Sequence, residues 1–157
     1  MIVKANVAYK DGKRGNEWFL VRFDHSQVDQ EKQKKGIRQR RTGVCTIYYL
    51  TNDETFSGGE DFASRICGEK RKFYVTQAKI VCNENDNYVK AYSRNVTMKK
   101  AINQIMKLQS SGELLWDFTF DNETFKSFLT TLNKQHPHGK EAALKLLQDS
   151  NYRVKKK

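Results

Sequence analysis

Proline is nearly missing from this chain: Pro137 is the only one in 157 residues. With 11% aromatic residues beside it, that scarcity argues against a disordered, proline-rich polypeptide. Cysteine is also sparse. Cys45, Cys67 and Cys82 are odd in number and widely spaced, a poor disulfide framework. No Cys-x-x-Cys spacing marks a zinc site. The one close pair of other ligand type, His136 and His138, flanks Pro137 at a helix break, where exposed histidines are ordinary. Cysteine on a strand face behaves as a small hydrophobe. Neither a metal nor a cofactor is therefore expected.

Long apolar runs are lacking too, and none approaches a membrane span. The N-terminal MIVKANVAYK has no charged leader followed by an apolar block, and no lipidation motif is present. No basic helix with a bulky apolar face suggests a membrane surface. The expectation is a cytoplasmic protein without a membrane partner. Ser57-Gly58-Gly59 has no following lysine and helix signature, so no phosphate-cradling glycine loop is present. There is no ribonucleoprotein-type signature, no helix at helix-turn-helix distance, no internal repeat and no low-complexity tract.

What the chain does have is positive charge: 29 Lys/Arg against 18 Asp/Glu, a net +11. The excess is segregated. Residues 30–41 hold Lys32, Lys34, Lys35, Arg38, Arg40 and Arg41 against Glu31. Residues 65–72 hold Arg65, Lys70, Arg71 and Lys72 against Glu69, and residues 151–157 hold four basic residues and no acid. These three stretches account for 14 of the 29 basic residues and 2 of the 18 acids. A single charge run is as a rule a solvated surface. Three runs in an otherwise neutral chain point to a polyanion.

The length suits one domain, 1–157. Residues 2–10 alternate, with Val3, Ala5, Val7 and Tyr9 on one face. A turn at 11–15 leads to a strand at Glu17–Phe23 that is apolar on both faces, with Phe19, Val21 and Phe23 opposed to Trp18 and Leu20. That strand is expected to be central. Residues 24–43 read as an exposed loop. Val44–Leu50 reads as a third strand, Glu60–Cys67 as a short helix, Lys72–Cys82 as a fourth strand with Tyr74, Thr76, Ala78, Ile80 and Cys82 on one face, and Tyr88–Tyr92 as a fifth.

The period then changes. Met98, Ala101, Ile102, Ile105 and Met106 define a helix capped by Thr97. Leu114–Phe120 alternates as a sixth strand. Asp121 or Asn122 caps a helix with Phe125, Phe128, Leu129 and Leu132 inward, and a further helix carries Ala143, Leu146 and Leu147. The fold class is thus α+β: a mainly antiparallel sheet in 1–95, a helix-rich part at 96–150 and a basic tail at 151–157.

The first functional reading is a non-enzymatic nucleic-acid-binding protein, for DNA or RNA. Lys32, Lys34, Lys35, Arg38, Arg40 and Arg41 would neutralise phosphates, with Lys70, Arg71 and Lys72 as auxiliary contacts and little sequence specificity. Tyr48, Tyr49, Phe73, Tyr74, Tyr88 and Tyr92 interleave with the charge, as in folds that stack single-stranded bases on a sheet. Strand aromatics, however, are mostly core.

The second reading is a regulator or inhibitor docking on an acidic surface of a nucleic-acid-processing protein. The third is a metal-dependent nuclease using Gln77 and Lys79 with Asp53, Glu60 or Asp61 upstream. Asp24 and His25 are a conceivable acid–base pair, although Asp-His-Ser at a strand end is commonly a turn. Lys99, Lys100, Asn103, Gln104 and Lys107 on the helix at 97–109 match a groove-reading face and equally a plain solvent face.

Overall fold

In the computed structural model the described residues are 1–27, 29–37, 39–52, 65–66, 70–82, 89–114, 116–136 and 154–156; of 65–66, 70 and 154–156 only the backbone is described. The chain is α+β, as its pattern predicts. Strands β1 (Ile2–Tyr9), β2 (Arg14–His25), β3 (Arg41–Thr51), β4 (Arg65–Ile66) and β5 (Lys70–Cys82) come first, with a short helix α1 (Gln30–Lys34) between β2 and β3. Helix α2 (Lys90–Ser110), strand β6 (Phe118–Thr119), helix α3 (Asn122–Gln135) and strand β7 (Val154–Lys156) follow.

All strand pairs are antiparallel, in the order β4-β5-β3-β2-β1-β6, with β7 also on β5. β2 lies between β1 and β3, which is why both of its faces are apolar. One sheet face carries Val3, Ala5, Val7, Phe19, Val21, Cys45, Ile47, Tyr49 and Ala78, all buried. Against it pack Met98, Ala101, Ile102 and Ile105 of α2 and Phe128 and Leu132 of α3, forming one core. Phe19 is the hub, with rings of Tyr49, Trp116, Phe118, Phe120 and Phe128 at 5.2–6.2 Å. The contacts with Trp116, Phe118 and Phe120 are edge-on; such contacts add to burial, and each large ring removes a large apolar area from water.

A carboxylate enters the rim of this core. Glu17 accepts hydrogen bonds from the phenols of Tyr9 (2.6 Å) and Tyr49 (2.5 Å). Tyr9 in turn lies over Gly15: a Cβ there would sit 2.5 Å from its ring carbon, so the close approach requires glycine.

Helix α3 starts with a capping box. The Asp121 carboxylate accepts from the backbone N–H groups of Glu123 and Thr124, and the Asp121 N–H donates to Thr124 Oγ1. Thr124 Oγ1 also donates to Asn6 O, and Asn6 N–H donates to Ser127 Oγ at 3.1 Å. β6 pairs only with Ala8 and Tyr9 of β1, so side chains of α3 satisfy the edge of β1 where no strand does.

The structure departs from the sequence pattern at six places. The 24–43 loop is shorter than expected: β2 runs to His25, β3 begins at Arg41, and α1 is capped by Asp29, whose side chain accepts from Glu31 and Lys32. A bulge in β5 places Val75 between the pairs Ile47–Thr76 and Tyr48–Tyr74. It therefore turns Phe73 inward and Tyr74 outward, reversing the face expected for Tyr74. Lys90–Tyr92 is helix and not strand, because α2 extends seven residues N-terminal of Thr97. Its first turns bury Ser93 and Thr97, small polar residues with no apolar signal. Thr97 is not a cap, since its hydroxyl donates back to Ser93 O at 2.6 Å within the helix. Arg65 and Ile66, within the expected short helix, pair with β5 as strand. Within the basic tail, for which the sequence pattern gives no element, 154–156 adds β7 beside Ile80–Cys82. Only Phe118–Thr119 of the expected sixth strand forms a ladder, although Trp116, Phe118 and Phe120 all point into the core. The helix expected around Leu146 lies outside the described residues.

Candidate nucleic-acid interface

The face of the sheet away from α2 and α3 is set by the same alternation that builds the core. Strand register aligns its side chains in rows. Lys4, Trp18, Leu50 and Lys72 form one row across β1, β2, β3 and β5, and Ile2, Leu20, Tyr48 and Tyr74 form the next. Arg22, Thr46 and Gln77, then Asp24, Val44 and Lys79, continue it towards the other end. Four strands span about 14 Å, and the nine steps from Leu50 back to Arg41 span about 30 Å.

Trp18 and Tyr74 are 36% and 39% exposed on this face, whereas Leu50 and Thr46 on the same face of β3 are buried. Cations lie against the rings: the Lys72 ammonium is 4.6 Å from the Tyr48 ring centroid and that of Lys4 5.7 Å from Trp18. The rings of Tyr48 and Tyr74 meet edge-on at 6.3 Å. Among the described residues the outer face carries Lys4, Arg14, Arg22, Lys72 and Lys79 against one acid, Asp24. Asp24 is bound by Arg22 at 3.2 Å, and Arg14 is held by Asp121 of the α3 cap.

The segment 30–41 sits at one end of the strands. Lys32 and Lys34 project from α1, Lys35 follows it as the C-cap, and all three are exposed, as is Arg40. Arg41 begins β3 half-buried, with its Nε donating to Ser26 O at 3.1 Å. Arg38 lies outside the described residues. Gly36, at φ +71°, turns the chain after the helix, a left-handed conformation that suits glycine.

The second cluster is at the opposite end of the sheet. Lys70 pairs with Ile66 and Arg71 with Thr51. The Arg71 guanidinium lies 5.5 Å from the Phe73 ring on the helix-bearing side, and Lys72 faces outward. The fold therefore separates the first and second clusters by the length of β3. It brings the third towards the first, since Lys155 pairs with Val81 and Val81 with Thr42.

The other candidates are dispersed. Tyr49 and Phe73 are core residues, Tyr92 is on α2, and Tyr88 lies outside the described residues. Asp24 and His25 are successive strand residues on opposite faces. Gln77 and Lys79 are both exposed on the outer face, with Gln77 donating to Thr46 Oγ1. Asp53, Glu60 and Asp61 lie outside the described residues, as do Cys67 and His138.

Cys45 and Cys82 are buried, and burial pushes the Cys45 thiol up to about 12. No group of three or more metal-ligating side chains occurs among the described residues, and no described helix is long and apolar enough to cross a membrane. On α2, Lys99, Asn103 and Lys107 are exposed. Gln104, by contrast, accepts from Thr76, and Lys100 donates to Lys79 O.

Trp18 and Lys4 are the residues the sequence reading passed over as ligand contacts. Alternation assigned their faces, but nothing short of the register puts Lys4 beside Trp18 and aligns them with Lys72. No protein-family model, curated protein or solved structure matches the chain.

Proposed function

We propose that this chain binds single-stranded nucleic acid across the outer face of its sheet. Bases stack on Trp18, Tyr48 and Tyr74, while Lys4, Lys72 and Lys79 meet the phosphates. The basic segment with Lys32, Lys34, Lys35, Arg38, Arg40 and Arg41 takes the strand onward at the far end, and Lys70 and Arg71 flank the near end. The observation that carries this reading is the pair of adjacent rows in which the Lys4 ammonium lies against the exposed Trp18 ring and the Lys72 ammonium against that of Tyr48, beside the exposed Tyr74. Aromatic platforms within a cationic track suit unpaired bases, because every base offers a π-face whatever its sequence. A duplex hides those faces.

The test is titration of labelled single- and double-stranded DNA and RNA at low and moderate salt, with and without magnesium. The expected result is salt-sensitive binding that prefers single strands and leaves them intact. Absence of binding at low salt would overturn it and direct attention to an acidic protein partner, sought by a pull-down from nuclease-treated lysate. Magnesium-dependent cleavage lost in Lys79→Ala would instead favour a nuclease.

A further inference from the structure

A second cationic feature lies off the outer face. β1 begins at Ile2, opposite Leu20, whereas β2 continues to His25. The corner that β1 leaves vacant is a notch of about 470 Å³. Arg94 of α2, His136 at the C-cap of α3, His25, Phe23 and Met1 are among the groups lining it. Arg22, at its edge, is engaged by Asp24. The Met1 ammonium donates to Val21 O at 3.0 Å, which fixes the chain terminus at the notch wall. No carboxylate lines the notch among the described residues.

We propose that this notch binds a phosphate monoester group, held by the Arg94 guanidinium and the imidazoles of His25 and His136. Three planar side chains from three different elements line one concave space, and each suits a phosphate oxygen. The proposal is independent of the outer-face reading, because inorganic phosphate alone probes it.

The electrostatics give the site a pH response. His25 is lowered from its ordinary value by burial and by Lys90, Arg94 and Arg41, with Asp24 alone opposing. His136 is lowered by burial, by Arg94 and by the chain's own ammonium group. These neighbours thus disfavour the imidazolium form of both side chains. A phosphate dianion reverses that balance and raises both imidazoles. By linkage, its binding takes up protons and tightens as pH falls through the histidine range.

The experiment follows the imidazole Cε1–H resonances of the full chain during phosphate titration at constant ionic strength, with chloride as the control. The expected result is that phosphate moves the titrations of His25 and His136 upward and that its affinity, counted on the dianion, is higher at about pH 6 than at about pH 8. Arg94→Gln should weaken binding about tenfold. His136→Gln, at the helix end and independent of the α2 packing, should flatten the pH dependence and so serves if the arginine variant does not fold. Histidine titrations indifferent to phosphate would overturn the proposal, as would equal affinity at both pH values. A parallel comparison of 5′-phosphorylated and 5′-hydroxyl oligonucleotides distinguishes the source. Preference for the phosphorylated strand assigns the notch to a strand terminus. Equal binding, with phosphate still bound, assigns it to a small phosphate compound.

Discussion

The two faces of this sheet are made by the same strands and differ in almost everything else. On the inner face, Phe19 is ringed by aromatic neighbours and sealed by α2 and α3, and the Glu17 carboxylate at its rim is held by two phenols. On the outer face, aromatic side chains sit beside ammonium groups and two of them remain more than a third exposed. Aromatic content alone therefore says little about function. The rings inside exclude water to stabilise the fold, and the rings outside, set among cations, are the ones available to a ligand.

Substitutions separate the faces, and the largest effect belongs to the inner one. Phe19→Ala should destabilise by roughly 3–5 kcal/mol in denaturant unfolding, through lost burial and the cavity left behind. On the outer face, Trp18→Ala and Tyr74→Ala should each weaken single-strand binding by roughly 1–3 kcal/mol, with a much smaller change in the unfolding midpoint. If both sets of variants lost stability and binding in step, the distinction between the faces would fail.

The Gly15–Tyr9–Glu17 contact sharpens the inner face. Gly15→Ala should cost about 1–3 kcal/mol, because the new methyl group must displace the Tyr9 ring. The Tyr9 phenol is raised to about 12 by burial and then by its bond to Glu17. Its protonated form is favoured in the folded state, so this stabilisation is complete below the ordinary tyrosine value of 10.0 and is lost as pH rises through about 12. Glu17→Gln should lower the Tyr9 titration, read by ultraviolet absorbance, while leaving it above the ordinary value because burial remains.

The smallest stability effect concerns the helix cap. Arg14, and the α3 N–H groups after it, hold the Asp121 carboxyl down to about 2. That contribution is present above the ordinary value of 3.8 and is lost as pH falls through about 2. Asp121→Ala should cost about 1 kcal/mol at neutral pH and less in acid, as measured by unfolding across that range. For the basic segment, neutralising Lys34, Lys35 and Arg40 together should leave stability unchanged. It should reduce the salt slope of single-strand binding by about 2, as expected for three lost phosphate contacts.

Much of the inner face was legible in the sequence, because alternation in β1 and β2 and the helical period of Met98–Ile105 report burial directly. The exceptions have local causes. The bulge at Val75 shifts the period by one residue and cannot be seen without the partner strand, so Tyr74 was assigned inward. Ser93 and Thr97 bury polar side chains that satisfy themselves within the helix, so the first turns of α2 looked like the end of a strand. The basic residues of 30–41 were visible as a cluster, but their placement a full strand length from Arg71 and Lys72 depends on register. Alternation sets Trp18 opposite Phe19 and Lys4 opposite Val3, without marking that face as exposed. Only the pairing Lys4–Trp18–Leu50–Lys72 turns them into a surface.

The most direct measurement of the outer-face proposal uses the intrinsic fluorescence of Trp18 in a Trp116→Phe variant, where it is the sole tryptophan. Titration with a single-stranded oligonucleotide should quench it strongly as bases stack on the ring, with Tyr74→Ala shifting the curve to weaker binding and added salt reversing it. Binding detected by the labelled strand with Trp18 emission unchanged would contradict the account and place the ligand elsewhere on the molecule.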